Sequence, residues 1–238
     1  MTCNDVDFEA DADGNALSEG QIIDDEFASW GFHVTTHDPW NHPAMIFNSS
    51  VPTGGDTDIG TPNQDFGGAG IGSGGEAGQA GENAVAENFI LIISEDGDQN
   101  DPDDNAYGGY FHFEFDNPVF VDSMGFLDMD DYGNKVKCFD ANWNLLSLTN
   151  IPSLGDNSAQ FLTINTANVT HLKVYFEGSG AISSLVTCKE ISSDCCEDVI
   201  AECEDITIEL DGAVGYASID AEDAVSYTHL TLPTNRCV

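Results

Sequence analysis

Strict alternation of apolar and polar side chains over short runs limits what this chain can fold into. Phe111, Phe113 and Phe115 alternate with His112 and Glu114, and Leu172, Val174 and Phe176 alternate with His171, Lys173, Tyr175 and Glu177. A period of two sends successive side chains to opposite faces, so each run reads as a strand with one face buried. Further strands are expected at 6–10, 31–35, 44–47, 89–94, 119–128, 135–139, 145–148, 160–164 and 181–187. Gly, Pro, Asn or Asp stands at nearly every break, a spacing that predicts two packed antiparallel sheets in an all-β sandwich. Only residues 24–30 read as a short helix, with an acidic first turn that complements the helix dipole.

Charge sets the surroundings. The chain carries 43 Asp and Glu against 5 Lys and Arg, a formal net charge of −38. Such a surface repels the phosphates of nucleic acid and suits an extracellular, salt-exposed setting. The longest purely apolar run, 89–93, is far too short to span a bilayer, so no membrane insertion is expected. Cys3, Cys138, Cys188, Cys195, Cys196 and Cys203 fit an oxidising compartment, with a connectivity that spacing does not reveal. Met1-Thr2-Cys3 opens almost directly on a strand, so either an export signal lies upstream of this start or the protein is cytosolic, and the six cysteines favour the first.

The last residues are set aside. Residues 225–234, VSYTHLTLPT, match the translation of a transposon adapter used in sequencing libraries, and 225–238 is treated as an appended scar of a metagenomic type. Between 67 and 81 lies a low-complexity loop in which 8 of 15 residues are glycine, expected to be a mobile surface excursion. Its Gly70-Ile71-Gly72-Ser73-Gly74-Gly75 string satisfies a dinucleotide-binding pattern only formally, because no strand leads in and no helix leads out.

The acidic turns carry the chemistry. Carboxylates crowded together repel unless water or a hard cation takes up their charge, and calcium accepts six to eight oxygens from flexible loops. Asp56, Asp58, Glu95, Asp96, Asp98, Asp103 and Asp104 are the candidate ligands, with Asp56 and Asp58 reaching a site built mainly by 95–104. The string is not an EF-hand: counting from Asp96, the sixth position is Asp101 and the twelfth Tyr107. Asp128, Asp130 and Asp131 come third as candidate ligands, because the Asp-Tyr-Gly-Asn turn explains them without metal. His33, His37 and His42 flank Asp38 in a stiff loop between Pro39 and Pro43. They lack helical zinc-ligand spacing and read as surface histidines.

Trp40, Tyr107 and Trp143 stand in or beside loops, where an aromatic face stacks on a sugar ring while carboxylates and amides hold its hydroxyls. No nucleophile elbow appears, and acids are too abundant for any pair to signal glycoside chemistry, so no catalytic residue is assigned.

Several blocks resemble known modules. DFEADADGNALSEGQ, AMIFNSSVPTGGDTDIGTPN, the segment from FILIISEDGD through DPDDN to FLDMDD, and VYFEGSGAISSL resemble an uncharacterised bacterial extracellular β-sandwich domain, similar in outline to jelly-roll carbohydrate-binding and adhesion modules. CEDITIELDGAVGYASIDAEDA resembles the opening of HYR-like immunoglobulin-type repeats. The resemblance implies a jelly-roll-like sandwich over 1–190, a cysteine-containing linker at 191–202 and the truncated start of an Ig-like repeat at 203–224. It also implies secretion, calcium, and further domains beyond this fragment. Ser183 and Ser184 stand where such modules often carry an acidic calcium ligand, so no second site is expected there. The expected function is a non-catalytic, calcium-stabilised binding or adhesion module, with glycans or other surface proteins as partners. The alternatives are a polysaccharide-degrading hydrolase or lyase, and a structural spacer.

Overall fold

Two of the expected breaks bend a strand instead of ending it. The computed structural model describes residues 2–189. In it the runs at 110–115 and 119–128 fall on one strand, β5 (Gly109–Leu127), and those at 160–164 and 171–177 fall on β8 (Ala159–Phe176). The β5–β8 register shifts between Glu114 and Val119 and again towards Ser123, so extra residues are absorbed as bulges that turn the strand. Pro118 sits in the first shift, where its missing N–H costs no ladder bond. Opposite, Asn165 and Asn168 take φ of 49° and 61°, left-handed values that asparagine tolerates.

The bend makes two layers from one ladder. Phe111 and Phe126 are 126 − 111 = 15 residues apart, roughly 50 Å along a straight strand. Yet their ring centroids lie 5.6 and 6.4 Å from that of Phe176. The other strands are β1 (Thr2–Val6), β2 (Phe32–His37), β3 (Ala44–Asn48), β4 (Phe89–Ile93), β6 (Lys135–Phe139), β7 (Leu145–Asn150) and β9 (Ala181–Lys189). Their order is β3-β4-β9-β5-β8-β6-β7, with β1 added to β9 and β2 to β5. Every ladder is antiparallel. The fold is all-β, an antiparallel β-sandwich of the expected jelly-roll class. The linker at 191–202, the Ig-like start at 203–224, the adapter-like tail at 225–238 and Cys195, Cys196 and Cys203 lie outside the described residues.

Three local expectations are corrected. The helix at 24–30 is reduced to a 3-10 turn, Ala28–Trp30, closed by Gly31 at φ 83°. The carbonyls of Asp24 and Glu26 accept from the amides of Val34 and Ala12, which removes them from a helical ladder. Phe27 meanwhile stacks on Phe32 at 5.1 Å, so tertiary contacts outweigh local preference. The first strand is Thr2–Val6 rather than 6–10, and buried Phe8 turns the chain at φ 62°. Cys3 lies opposite Cys188 in the β1–β9 register and is disulfide-bonded to it across a sequence separation of 185, whereas Cys138 is free and buried.

The third correction concerns the glycine-rich loop, which is packed rather than mobile. β3 and β4 are buried on both faces: Ile46, Leu91 and Ile93 join the main core, while Met45, Phe47, Ile90 and Ile92 form a second core with Ile59, Leu127 and Ala181. The loop lies against fully buried Asn157, whose Nδ2 donates to the carbonyls of Asp58 at 2.6 Å and Gly60 at 2.8 Å. Its Oδ1 accepts from Asn63 Nδ2 at 2.7 Å, and Asn63 also donates to the Gly72 carbonyl. A Cβ on Gly70 would stand 2.3 Å from the Gly60 oxygen, and one on Gly75 2.3 Å from the Asn157 oxygen. At Gly70 and Gly75 glycine is there for close backbone approach.

Gly70→Ala is therefore expected to destabilise the protein by about 1–3 kcal/mol in chemical denaturation, the usual cost of overpacking. An unchanged midpoint would mean that this loop does not pack.

Candidate functional site

Four connections between strands bring carboxylates together, and a fifth adds hydrogen-bond donors. Asp56 and Asp58 come from the β3–β4 connection, Asp104 from β4–β5, Asp128 from the end of β5, and Asp156 from the turn before β8. The β8–β9 turn adds Ser179 and Gly180. The asparagine and glycine packing sets two of these positions: Asn157 holds the Asp58 carbonyl, and its own amide donates to Asp128 Oδ1 at 2.6 Å. Asp128 takes φ 58° to point inward.

The geometry is that of a shared oxygen-lined centre. One carboxylate oxygen from each of Asp58, Asp128 and Asp156 lies within 4.8 Å of the others. Ser179 Oγ donates to Asp104 Oδ2 at 2.6 Å and to Asp128 Oδ2 at 3.1 Å, and the Gly180 amide donates to Asp104 Oδ2 at 2.8 Å. Asp56 Oδ2 accepts from the Asp104 amide at 2.8 Å. Gly54 makes this approach possible, because a Cβ there would stand 2.3 Å from Asp103 Cβ.

Electrostatically the centre lacks a counter-charge. Asp128 is 1% exposed and Asp104 5%. Among the described residues, His33 lies against Asp25 and Asp116, His42 against Asp38, and Lys135 pairs with Glu177, and none of these reaches this cluster. Burial pushes the Asp128 carboxyl up to about 8, against the pull of the Asn157 amide and with the help of Asp58, Asp130 and Asp104. Burial likewise raises Asp58, Asp56 and Asp104. The donor set is all oxygen, from several separate turns, which fits a hard divalent cation such as calcium.

The structure thus places Asp56, Asp58 and Asp104 together and adds Asp128 and Asp156. The reading of Asp128 as an ordinary turn residue is overturned, since its side chain is buried in the cluster. Asp156 escaped notice because its only signal is a short Gly-Asp-Asn turn far along the chain. Asp98 stays apart: it is exposed, and its Oδ1 accepts from the amide and Nδ2 of Asn100 in its own turn.

Glu95, Asp96 and Asp103 face a second feature, an open pocket of about 370 Å³ that Trp40, His42, Asn105 and Tyr107 also line. Trp40 is 56% and Tyr107 69% exposed, with ring centroids 5.3 Å apart and planes at 58°. Asp38, whose side chain is fully buried, organises this platform. Its oxygens accept from the amides of Trp40 and His42 and from Asn105 Nδ2. Asn105 in turn accepts from the Tyr107 amide at 3.0 Å. Asp103 Oδ1 is a buried oxygen with no hydrogen-bond partner. Asp38 and Asn105 were missed as site residues because their role is to hold backbone that lies distant in sequence.

Trp143 belongs elsewhere. It stacks on His171 at 3.9 Å with planes 8° apart, on the outer face formed by β5, β6 and β8. Nor do His33, His37 and His42 converge: His33 meets Asp25, His37 stacks on Tyr110, and His42 lies beside Asp38 and Trp40.

No protein-family model matches the chain, and no curated protein matches it in sequence. Among solved structures it is similar to the lectin domain of lectinolysin complexed with Lewis B antigen, at 9% identity and TM-score 0.30, covering 62% of this chain and 92% of that one. It is also similar to a Streptococcus pneumoniae fucose binding module, at 10% identity and TM-score 0.28, over 42% of this chain and 72% of that one. A third is the F5/8 type C domain of a Bacteroides fragilis protein, at 14% identity and TM-score 0.27, over 37% and 69%. These overlaps are partial, and the functional reading rests on the site itself.

The raised Asp128 carboxyl fixes the sign of a pH effect in chelator-treated protein. Its folded value of about 8 exceeds the ordinary value near 4, so the native state holds the extra proton between them. That contribution to stability is complete below pH of about 4 and is lost as pH rises through about 8. Asp128→Asn is therefore expected to melt higher than the metal-free wild type at pH 8, with a gap that narrows towards pH 5. A gap independent of pH would contradict a buried, titrating Asp128.

Proposed function

We propose that the chain is a non-catalytic, calcium-stabilised extracellular module that binds glycans at the pocket between Trp40 and Tyr107. The observation that carries this reading is the exposed, mutually tilted aromatic pair set over a pocket lined by carboxylates and an amide. Sugar rings offer apolar C–H faces to aromatic planes and hydroxyls to carboxylates and amides, so the pocket supplies both halves of that chemistry. Because the platform is fixed by Asp38 and Asn105, a ligand would bind a largely preformed surface, at lower ordering cost.

In this reading calcium is held by Asp58, Asp128 and Asp156, with Asp56 and Asp104 beside them. It supplies positive charge where burial makes ionised carboxylates costly, and it ties four connections together. The Asp104 turn lies next to Asp103 and Asn105, so a calcium-ordered centre would also order the floor of the aromatic pocket. The Cys3–Cys188 disulfide supports an oxidising, extracellular setting. No helix among the described residues is long and apolar enough to cross a membrane.

The competing hydrolase or lyase draws on the same pocket, where carboxylates flank Trp40. Exposed loop carboxylates beside an aromatic platform suffice for binding, whereas turnover would require an acid and a base held at fixed separation. A glycan array followed by a reducing-end assay on the bound oligosaccharides separates the two: binding with no new reducing ends is expected.

Trp40→Ala and Tyr107→Ala should each weaken binding by about tenfold or more, since 1.4 kcal/mol is a factor of ten; wild-type affinity in both variants would sink the glycan reading. Calcium should raise the melting temperature, by about 2.7 kcal/mol of added stability at a hundredfold excess over its dissociation constant. Asp58→Asn and Asp128→Asn should abolish most of that rise. A melting temperature indifferent to calcium and chelator would remove the metal from the proposal.

A further inference from the structure

The face bearing Trp143 carries a cluster that the calcium centre and the aromatic pocket leave unused. Strand register sets three cross-strand rows on it. His33 pairs with Glu114, Glu114 with His171 and His171 with Phe139; the next row runs Thr35, His112, Lys173 and Lys137. The third runs His37, Tyr110, Tyr175 and Lys135. In a chain of net charge −38, Lys135, Lys137 and Lys173 all fall here. They sit over aromatic rings: Lys173 Nζ is 4.6 Å from the Tyr110 centroid and 5.0 Å from that of Trp143, and Lys137 Nζ is 4.9 Å from that of Tyr175.

We propose that His112, Glu114 and His171 form a binding site for a borderline divalent transition metal, zinc in the first instance. His112 Nε2 and His171 Nδ1 face each other at 3.2 Å. Two imidazole nitrogens on a tetrahedral zinc, each at about 2.0–2.1 Å from it, stand about 3.3–3.4 Å apart, so the two rings need almost no movement to bind one ion. A Glu114 oxygen lies within 4.8 Å of a ring nitrogen of each histidine and supplies the third ligand and the only negative charge of the set.

All three residues project from paired strands, β5 and β8, which hold donors more firmly than loops do. Trp143 stacked on His171 fixes the plane of that imidazole, and the exposed Glu114 side leaves an approach for the ion and a position for solvent. The donor set also separates this site from the first: two imidazoles with one carboxylate suit zinc, copper or nickel, whereas calcium takes oxygen alone. Lys173 is the opposing charge, and His37 is the other titratable group facing His112.

The test uses untagged full-length chain, stripped with chelator and then saturated with calcium so that the carboxylate centre is filled. Cobalt(II) is titrated while its visible absorption and the quenching of tryptophan fluorescence are read, and zinc is measured by competition with a chromophoric chelator. One saturable cobalt equivalent that quenches Trp143 and is displaced by zinc is expected, and Trp143→Phe should remove that quenching without removing the absorption. His112→Ala should lower zinc affinity by about tenfold or more, and Glu114→Gln should do so by a smaller factor. Equal cobalt binding in His112→Ala and wild type, or no saturable binding under calcium, would overturn the site.

Discussion

Carboxylates buried without a basic partner are the constraint on which this architecture turns. Asp104 and Asp128 are shut away from solvent, Asp56 and Asp58 press against them, and no described lysine or histidine reaches the group. Such a centre is stable only if its charge is removed by protons or met by a cation. Because the carboxylates arrive on separate connections, whichever species neutralises them also decides how firmly those connections close. The proposed calcium would thus act on the fold first and on ligand binding through it.

The neutral scaffolding around this centre is as consequential as the charges. Asn157 bonds the Asp58 carbonyl through its side chain and Asp128 through its amide, while Asn63 and Asn83 tie the glycine-rich loop to the same point. Asparagine suits this work because one side chain both donates and accepts without adding charge. Asp38 and Asn105 repeat the pattern around Trp40 and Tyr107, holding exposed rings by means of buried polar groups. Both regions therefore place functional side chains through side-chain-to-backbone bonds, the usual way for irregular loops to satisfy buried polar atoms.

The sandwich separates its two kinds of surface chemistry. Carboxylates gather on the connections, whereas three of the lysines and the His112–His171 pair lie on the outer face of paired strands. Alternation made that separation possible: the same period that sends Phe111, Phe113 and Phe115 into the core sends Tyr110, His112 and Glu114 outward. Residues on a flat strand face meet neighbours across the sheet at fixed spacing, while residues on loops meet whatever the fold brings near.

The sequence alone determined the fold class, the strand interiors and the acidic character of the turns, because period-two burial and turn chemistry are local properties written in consecutive residues. The pairing of Asp56 with the 95–104 loop was also foreseeable, since Asp56 follows the pliable Gly54-Gly55 pair beside the other acid-rich turn. It did not reveal that Pro118 lies in a bulge rather than at a strand end, or that a run of 8 glycines in 15 residues is packed. Nor did it show that Asp128 and Asp156 meet Asp58, or that Trp143 leaves Trp40 for His171. Each of those outcomes depends on segments tens of residues apart coming into contact, and only the tertiary structure decides which backbone a glycine must approach or which buried carboxylate lacks a partner.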